Sequence, residues 1–261
     1  MKTITLGAVD YLNARPLVYG LELRNDLFTV RFDTPSKCAA LLHEGSVDLG
    51  MIPSIEYLRG PSYRIVPGLA IASYGAVASV ALFSTKPVDE IRSVALDSSS
   101  RTSTALLRIL CVERFGLEPA FRPHPPEPAA MLRLCDAALI IGDPALFLDH
   151  EAAGLLKVDL GEQWTTMTGL PFIWAFWAGR PGAVSPDAIA ALAAARDAGV
   201  AASDAVAAAY CGPEDAARGQ AYLRENVQYS VGEREEAGLR KYSELAEKHG
   251  LVEAALEPQF Y

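Results

Sequence analysis

Val94-Ala-Leu-Asp-Ser-Ser-Ser-Arg-Thr-Ser-Thr-Ala-Leu-Leu107 changes character twice within one short stretch. An apolar run ends on Asp97, hydroxyls and an arginine fill Ser98 to Thr104, and an apolar segment with helical spacing runs on to Phe115, where Gly116 closes it. Strand, polar turn and helix in that order make the building unit of an α/β fold, and serine or threonine before a helix supplies the oxygen that its first N–H groups need. The same hydroxyls stand where unpaired backbone N–H groups and the positive end of the helix dipole converge, which suits an anion. No Gly-x-x-x-x-Gly-Lys frame accompanies them, so a single carboxylate or phosphate fits better than a nucleotide. A serine-rich cap with no ligand is the competing explanation.

The pattern repeats outward from this unit. Short apolar runs at Ile4 to Val9, Thr29 to Phe32, Leu49 to Ile52, Ala137 to Ile141 and Phe172 to Trp177 alternate with helical spacing. Continuous apolar runs are expected of strands covered on both faces, as in mostly parallel sheets. Thr34-Pro35-Ser36 before Lys37 to Glu44, with Gly45 behind, gives a second helix with a proline in its first turn and a glycine at its end. From Ser185 the chain is rich in alanine and poor in β-branched runs, so Pro186 to Gly250 is expected to be helical.

Polar breaks fall at Ser84-Thr85-Lys86-Pro87 and at Ala178-Gly179-Arg180-Pro181-Gly182. If the chain crosses into a second lobe at the first and returns at the second, residues 1–84 and 179–261 form one lobe, residues 85–178 the other, and a cleft lies between them. One continuous sheet with two surface turns is the alternative.

Composition narrows the function. With 23 basic and 32 acidic side chains the net charge is −9, and no segment gathers Lys and Arg into a stripe, so nucleic acid is not an expected partner. No apolar run reaches the roughly 18 residues of a membrane span, and Met1-Lys2-Thr3-Ile4 does not read as a secretion leader, so a cytoplasmic location is expected. Cys38, Cys111, Cys135 and Cys211 lack Cys-x-x-Cys spacing and read as reduced core thiols; His43, His124, His150 and His249 show no metal-ligand spacing.

Other strand ends are polar as well. Asp10, Tyr11, Asn13 and Arg15 follow the first strand, where open α/β sheets bind ligands. Asn13 offers two donors and an acceptor, and Arg15 a fork suited to carboxylates, although Asn13 or Asp10 capping a helix explains the stretch equally simply. Ser54 and Glu56 follow the run from Leu49, Gly142 and Asp143 follow Ile141, and Ser79 is a lone hydroxyl in apolar surroundings. Thr168 and Gly169, at the loop before the aromatic run, are candidates for facing a ligand, whereas Trp174 and Trp177 within that run are expected to pack in the core rather than stack on one.

Five motifs taken together, Tyr11-Leu-Asn-Ala-Arg-Pro-Leu17, Asp48-Leu-Gly-Met-Ile-Pro-Ser-Ile-Glu-Tyr57, Ala95-Leu-Asp-Ser-Ser-Ser-Arg-Thr-Ser103, Ile141-Gly-Asp-Pro144 and Thr168-Gly-Leu-Pro-Phe172, resemble the chorismate dehydratases of the futalosine route to menaquinone. The resemblance implies the type II periplasmic-binding-protein fold, two α/β lobes around a cleft, and a cofactor-free loss of water from chorismate that yields 3-[(1-carboxyvinyl)oxy]benzoate. It implies Asn13 and Ser79 as the polar groups nearest the reacting ring, and Arg15, Ser54, Ser98, Ser99, Arg101, Thr102, Ser103, Gly142, Asp143, Thr168 and Gly169 as the substrate-binding set. The base is left between the substrate's own enolpyruvyl carboxylate and a side-chain carboxylate, Asp143 or Glu56. The implied partner is chorismate, a small dicarboxylate, with no metal, no nucleic acid and no membrane; a homodimer is left open. The alternatives are a cytoplasmic solute-binding module for a small carboxylate and the 1,4-dihydroxy-6-naphthoate synthase of the same pathway. The latter resembles Pro-Cys-Pro-Asn-Asp-Thr where this chain has Tyr-Leu-Asn-Ala-Arg-Pro.

Overall fold

A computed structural model describes residues 3–60 and 62–261. Ten strands form two five-stranded sheets. The first has the order β2-β1-β3-β10-β4, with β1 at Ile4–Val9, β2 at Phe28–Asp33, β3 at Leu49–Pro53, β4 at Arg64–Ser73 and β10 at Phe172–Gly179. The second has the order β7-β6-β8-β5-β9, with β5 at Val80–Ser84, β6 at Ser93–Asp97, β7 at Ala120–His124, β8 at Ala137–Ile141 and β9 at Leu156–Asp159. Each sheet is the core of one lobe, so the fold is two-lobed α/β.

The sheets are mixed in equal parts rather than mostly parallel. β1 pairs in parallel with β2 and β3, and β6 with β7 and β8, whereas β10 runs against β3 and β4 and β5 runs against β8 and β9. The antiparallel strands are the two by which each lobe receives the chain from the other: β5 enters the second sheet and β10 re-enters the first.

That placement moves both lobe boundaries. The crossings lie at residues 74–79 and 169–171, not at the polar breaks, so β5 belongs to the second lobe and β10 to the first. Thr85 to Pro87 is an exposed turn inside the second lobe, closed by the hydroxyl of the buried Ser84 donating to the Lys86 carbonyl at 2.6 Å and by Lys86 pairing with Asp136 at 2.6 Å. The true crossings are short and partly buried, through Val77, Ser79 and Pro171, and therefore carry no run of polar residues.

β8 and β10 are buried along their whole length, as their unbroken apolar sequences require. Gly45 takes the left-handed conformation at φ 75° that ends helix Pro35–Glu44, and Gly116 does the same at φ 65° after helix Thr102–Leu110 continues as a wider turn over Cys111–Phe115. Cys38, Cys111 and Cys135 are buried free thiols and Cys211 is half-buried; burial pushes Cys38 and Cys111 up to about 12. No described helix is long and apolar enough to cross a membrane, and no described cluster of His, Cys, Asp and Glu has metal-site geometry.

Helices Pro186–Ala201, Ser203–Glu225 and Glu233–Lys248 fill the last quarter of the chain, and the second is broken at Gly212, φ 72°, ahead of Pro213. The first two hold the segment that follows β1, and the third packs on β10 and on helix Thr102–Leu110. Gly199 lies against that segment so closely that an added Cβ would sit 2.2 Å from the Pro16 carbonyl oxygen. Gly199→Ala should therefore destabilise the protein by about 1–3 kcal/mol, the usual cost of overpacking. Denaturant unfolding measures this, and an unchanged midpoint would show that the contact yields freely.

Candidate functional site

Main-chain geometry at the end of β1 decides where Asn13 points. Pro16 removes one donor from the turn that follows, and the chain coils as a tight 3-10 helix over Leu12–Val18 with Leu12, Ala14, Pro16, Leu17 and Val18 packed inward. Asn13 is left facing a cleft between the lobes, shared with Tyr11, Ser79, Ser100, Arg101, Thr102, Ser103, Gly142, Trp174 and an apolar remainder. The cavity is about 60 Å³, below the roughly 300–1,000 Å³ of small-molecule sites, so a ligand needs the two lobes further apart than they stand here.

Ser79 is 1% exposed, and its Oγ lies 2.7 Å from the hydroxyl of Tyr222, which helix Ser203–Glu225 carries. The side chain of Asn13 lies beside the same phenol, and its Oδ1 is buried without a protein partner. Burial pushes the Tyr222 hydroxyl well above its ordinary pKa, so it stays protonated. Two cleft-facing polar groups thus share one buried anchor.

The floor opposite is the start of helix Thr102–Leu110, whose first N–H groups have no partner within the helix ladder. Ser100, Thr102 and Ser103 bring hydroxyls to the same wall. Tyr11 lies across Gly142, which adopts φ 65°; a Cβ there would sit 2.9 Å from the tyrosine ring. Trp174 closes the remaining side and donates its ring N–H to Ser73 Oγ at 3.0 Å.

Several expected contacts are elsewhere. Arg15 lies outside the cleft, ion-paired with Asp10 and 4.9 Å from the ring centroids of both Phe32 and Tyr210, because the tight turn sends alternate side chains outward. Ser54 is fully buried and donates to the Ile173 carbonyl at 2.8 Å. Ser98 is exposed, and Ser99 is turned back onto Asp97, whose Oδ1 takes the Ser99 hydroxyl at 2.6 Å and its N–H at 2.8 Å. Thr168 and Gly169 end helix Leu160–Thr168, the hydroxyl donating to the Trp164 carbonyl at 2.9 Å and the glycine taking φ 70°. They belong to the crossing at 169–171 and not to the cleft.

The two carboxylates considered as bases are also held outside the lining. Asp143 accepts the Leu12 N–H at 3.2 Å and the Tyr210 hydroxyl at 2.5 Å, and burial raises its pKa. Glu56, with a side chain only 3% exposed, meets Arg101 at 2.9 Å, His43 at 3.1 Å and Arg59 at 3.5 Å. Among the described residues, Tyr11 and Arg101 are the titratable groups that line the cleft.

Tyr222, Tyr11 and Trp174 were not in the expected set. Tyr222 shares an alanine-rich helix with Tyr210 and carries no local mark that sets it apart. Tyr11 stood beside Asn13 in a polar strand end, and the spacing of three between Trp174 and Trp177 puts them on opposite faces of a strand, so one could face a cleft while the other, fully buried, faced the core.

A family model described as menaquinone biosynthesis matches residues 4–248. The chain belongs to that family. Its relatives include a chorismate dehydratase of Thermus thermophilus, 31% identical over 196 residues, which are 69% of this chain and 71% of the relative. Protein AF1704 of Archaeoglobus fulgidus has the same fold at a TM-score of 0.79 and 18% identity, covering 96% of this chain and 98% of that one. The periplasmic aliphatic sulphonate binding protein of Escherichia coli follows at a TM-score of 0.69 and 16% identity, covering 98% and 96%. These likenesses identify the two-lobed fold as periplasmic-binding-protein-like.

Gly142→Ala tests the packing of the site wall. The substitution strains a residue at φ 65°, ψ −150°, a region that glycine alone adopts freely, by about 1–3 kcal/mol and drives the new methyl into the Tyr11 ring. Lower thermal stability together with weaker ligand binding is expected; unchanged binding would mean that Tyr11 is not part of the binding wall.

Proposed function

We propose that this protein dehydrates chorismate to 3-[(1-carboxyvinyl)oxy]benzoate in the futalosine route to menaquinone. The observation that carries the proposal is the cleft's make-up: donors from Asn13, Ser79 and the start of helix Thr102–Leu110 converge on one space, with no carboxylate, histidine or lysine among its described lining residues. An acidic protein that binds a dianion needs such local donors, because its net field is repulsive.

The chemistry asks little of the enzyme beyond placement. Loss of the C3 proton and the C4 hydroxide leaves an aromatic ring, the C3–H electron pair becoming the new ring double bond as the C4–O bond breaks. The step is redox-neutral and needs no cofactor. The proton is taken by the substrate's enolpyruvyl carboxylate, held over C3, and proton and hydroxide together make one water. Ser79 donates a hydrogen bond to the departing hydroxyl, and Asn13 orients the ring from the same side. One substrate carboxylate sits against the first turn of helix Thr102–Leu110, with Arg101 beside it. Holding the reacting groups at contact distance contributes more than a strong base would.

A cytoplasmic enzyme fits the substrate, which is a metabolite. A solute-binding module would use the same fold, and the fold alone does not separate the two.

Purified protein mixed with chorismate should convert the ultraviolet spectrum to that of a benzoate; an unchanged spectrum with measurable binding would leave only the binding module. Asp143→Asn and Glu56→Gln should keep turnover within about tenfold of the parent protein, whereas a loss of about 10²-fold or more with binding intact would identify a protein base. Tyr222→Phe removes the shared anchor and should lower kcat by about 10-fold or more while changing KM by less than about threefold, the split expected of an interaction used in the transition state. Equal effects on both constants would reduce Tyr222 to a packing residue.

A further inference from the structure

Ala78 is the one non-glycine residue with a left-handed backbone among those described, at φ 63°. It immediately precedes Ser79, inside the crossing from the first lobe to the second. Alanine does not adopt this conformation without being held there, and such residues cluster where a functional group must be aimed.

The holding groups come from β9. Asp159, a buried carboxylate 7% exposed, accepts the Val77 N–H on Oδ1 at 3.0 Å and the Ala78 N–H on Oδ2 at 2.7 Å. Lys157, half-buried on the same strand, donates to the Ala78 carbonyl at 3.0 Å. An acid and a base thus grip Ala78 by its N–H and its C=O. The Ser79 N–H turns back to the Val77 carbonyl at 2.8 Å, which fixes the serine relative to the gripped peptide. β5 pairs with β9 only from Ala81, opposite Asp159, so the grip lies just before the regular ladder begins.

We propose that Asp159 is the positioning residue for Ser79: its carboxylate fixes the Ala78 backbone in the left-handed conformation and so aims the Ser79 hydroxyl at both Tyr222 and the cleft. The proposal rests on the role given to Ser79 above. Asp159 has a second duty, since Oδ1 also accepts the Glu162 N–H at 3.0 Å and caps helix Leu160–Thr168. Serine is a good cap but its short side chain cannot reach two further N–H groups, so Asp159→Ser separates the duties.

Asp159→Ser should lower kcat about tenfold with KM within about threefold, because the ring still binds while Ser79 is misaimed. Adding Ala78→Gly should recover at least about threefold of that loss, since glycine takes positive φ without being held. A loss that ignores the residue at 78, or no loss of kcat, overturns the proposal. Native-state hydrogen exchange gives a second readout that does not depend on turnover. The Ala78 amide should exchange at least about tenfold faster in Asp159→Ser while amides within helix Leu160–Thr168 keep their rates. Equal Ala78 rates overturn the proposal even if chorismate proves not to be the substrate, and absence of turnover in the parent protein overturns only the assigned reaction.

Discussion

One phenolic oxygen ties together three parts of the chain that are far apart in sequence. Tyr222 meets Ser79 at 2.7 Å and lies beside the side chain of Asn13, from a position enclosed by protein. Because burial keeps the phenol neutral, it has one proton to give. If that proton goes to Ser79 Oγ, the serine's own proton is free to point into the cleft. The buried, unpartnered Oδ1 of Asn13 is then the acceptor that the site still offers. A polar atom in that condition is costly unless something occupies the space before it. The three C-terminal helices are thus part of the site: they dock on the first lobe and carry the tyrosine to it.

The lobes meet through polar contacts on both sides of this anchor. Thr102 Oγ1 of the second lobe accepts the Ile55 N–H of the first at 3.2 Å, and its carbonyl accepts the Tyr242 hydroxyl at 3.1 Å. Arg101 reaches across to Glu56, and Asp143 reaches back to Leu12 and Tyr210. Apart from Tyr210 and Tyr242, which lie inside long helices, these groups sit at strand ends and helix starts, where main-chain groups are short of partners. Groups that might have bound substrate directly, Ser54, Glu56 and Asp143, are used instead to bring the two lobes together around it. A two-lobed protein with two short crossings closes by such contacts, and closure gives the donors in the cleft a drier surrounding in which each counts for more.

Much of the architecture was legible because buried strands and helix ends leave local marks. β1, β3, β8 and β10 followed from unbroken apolar runs, and Gly45 and Gly116 marked helix ends because only a left-handed residue closes them cheaply. β4, β5, β7 and β9 were less visible: β7 is half-exposed and carries Arg122, Pro123 and His124, and β9 has only four residues. The lobe boundaries were misplaced because exposed turns are polar whereas these crossings are buried. In the cleft, Asn13, Gly142 and the hydroxyls from Thr102 onward could be named from strand ends, since the carboxyl ends of strands are where such folds gather ligand contacts, whereas Ser79 precedes β5 and was marked only as a lone hydroxyl in apolar surroundings. Arg15 could not be placed, because a 3-10 turn after β1 points it outward and nothing local distinguishes that turn from an α-helix. Tyr222 and Asp159 are matters of tertiary contact alone.

The absence of carboxylates from the described lining has an electrostatic reason in the proposed reaction. Chorismate is a dianion, and a third negative charge about 4 Å from one of its carboxylates would cost about 4 kcal/mol at an effective dielectric of 20. A protein carboxylate acting as base would therefore weaken binding of the substrate it was meant to deprotonate. Letting the enolpyruvyl carboxylate take the proton removes that conflict: the base arrives with the substrate, and its charge is already neutralised by the donors that bind it. What the protein must then supply is aim rather than basicity. That demand accounts for a serine held by a tyrosine on one side and, through a strained alanine, by an aspartate on the other.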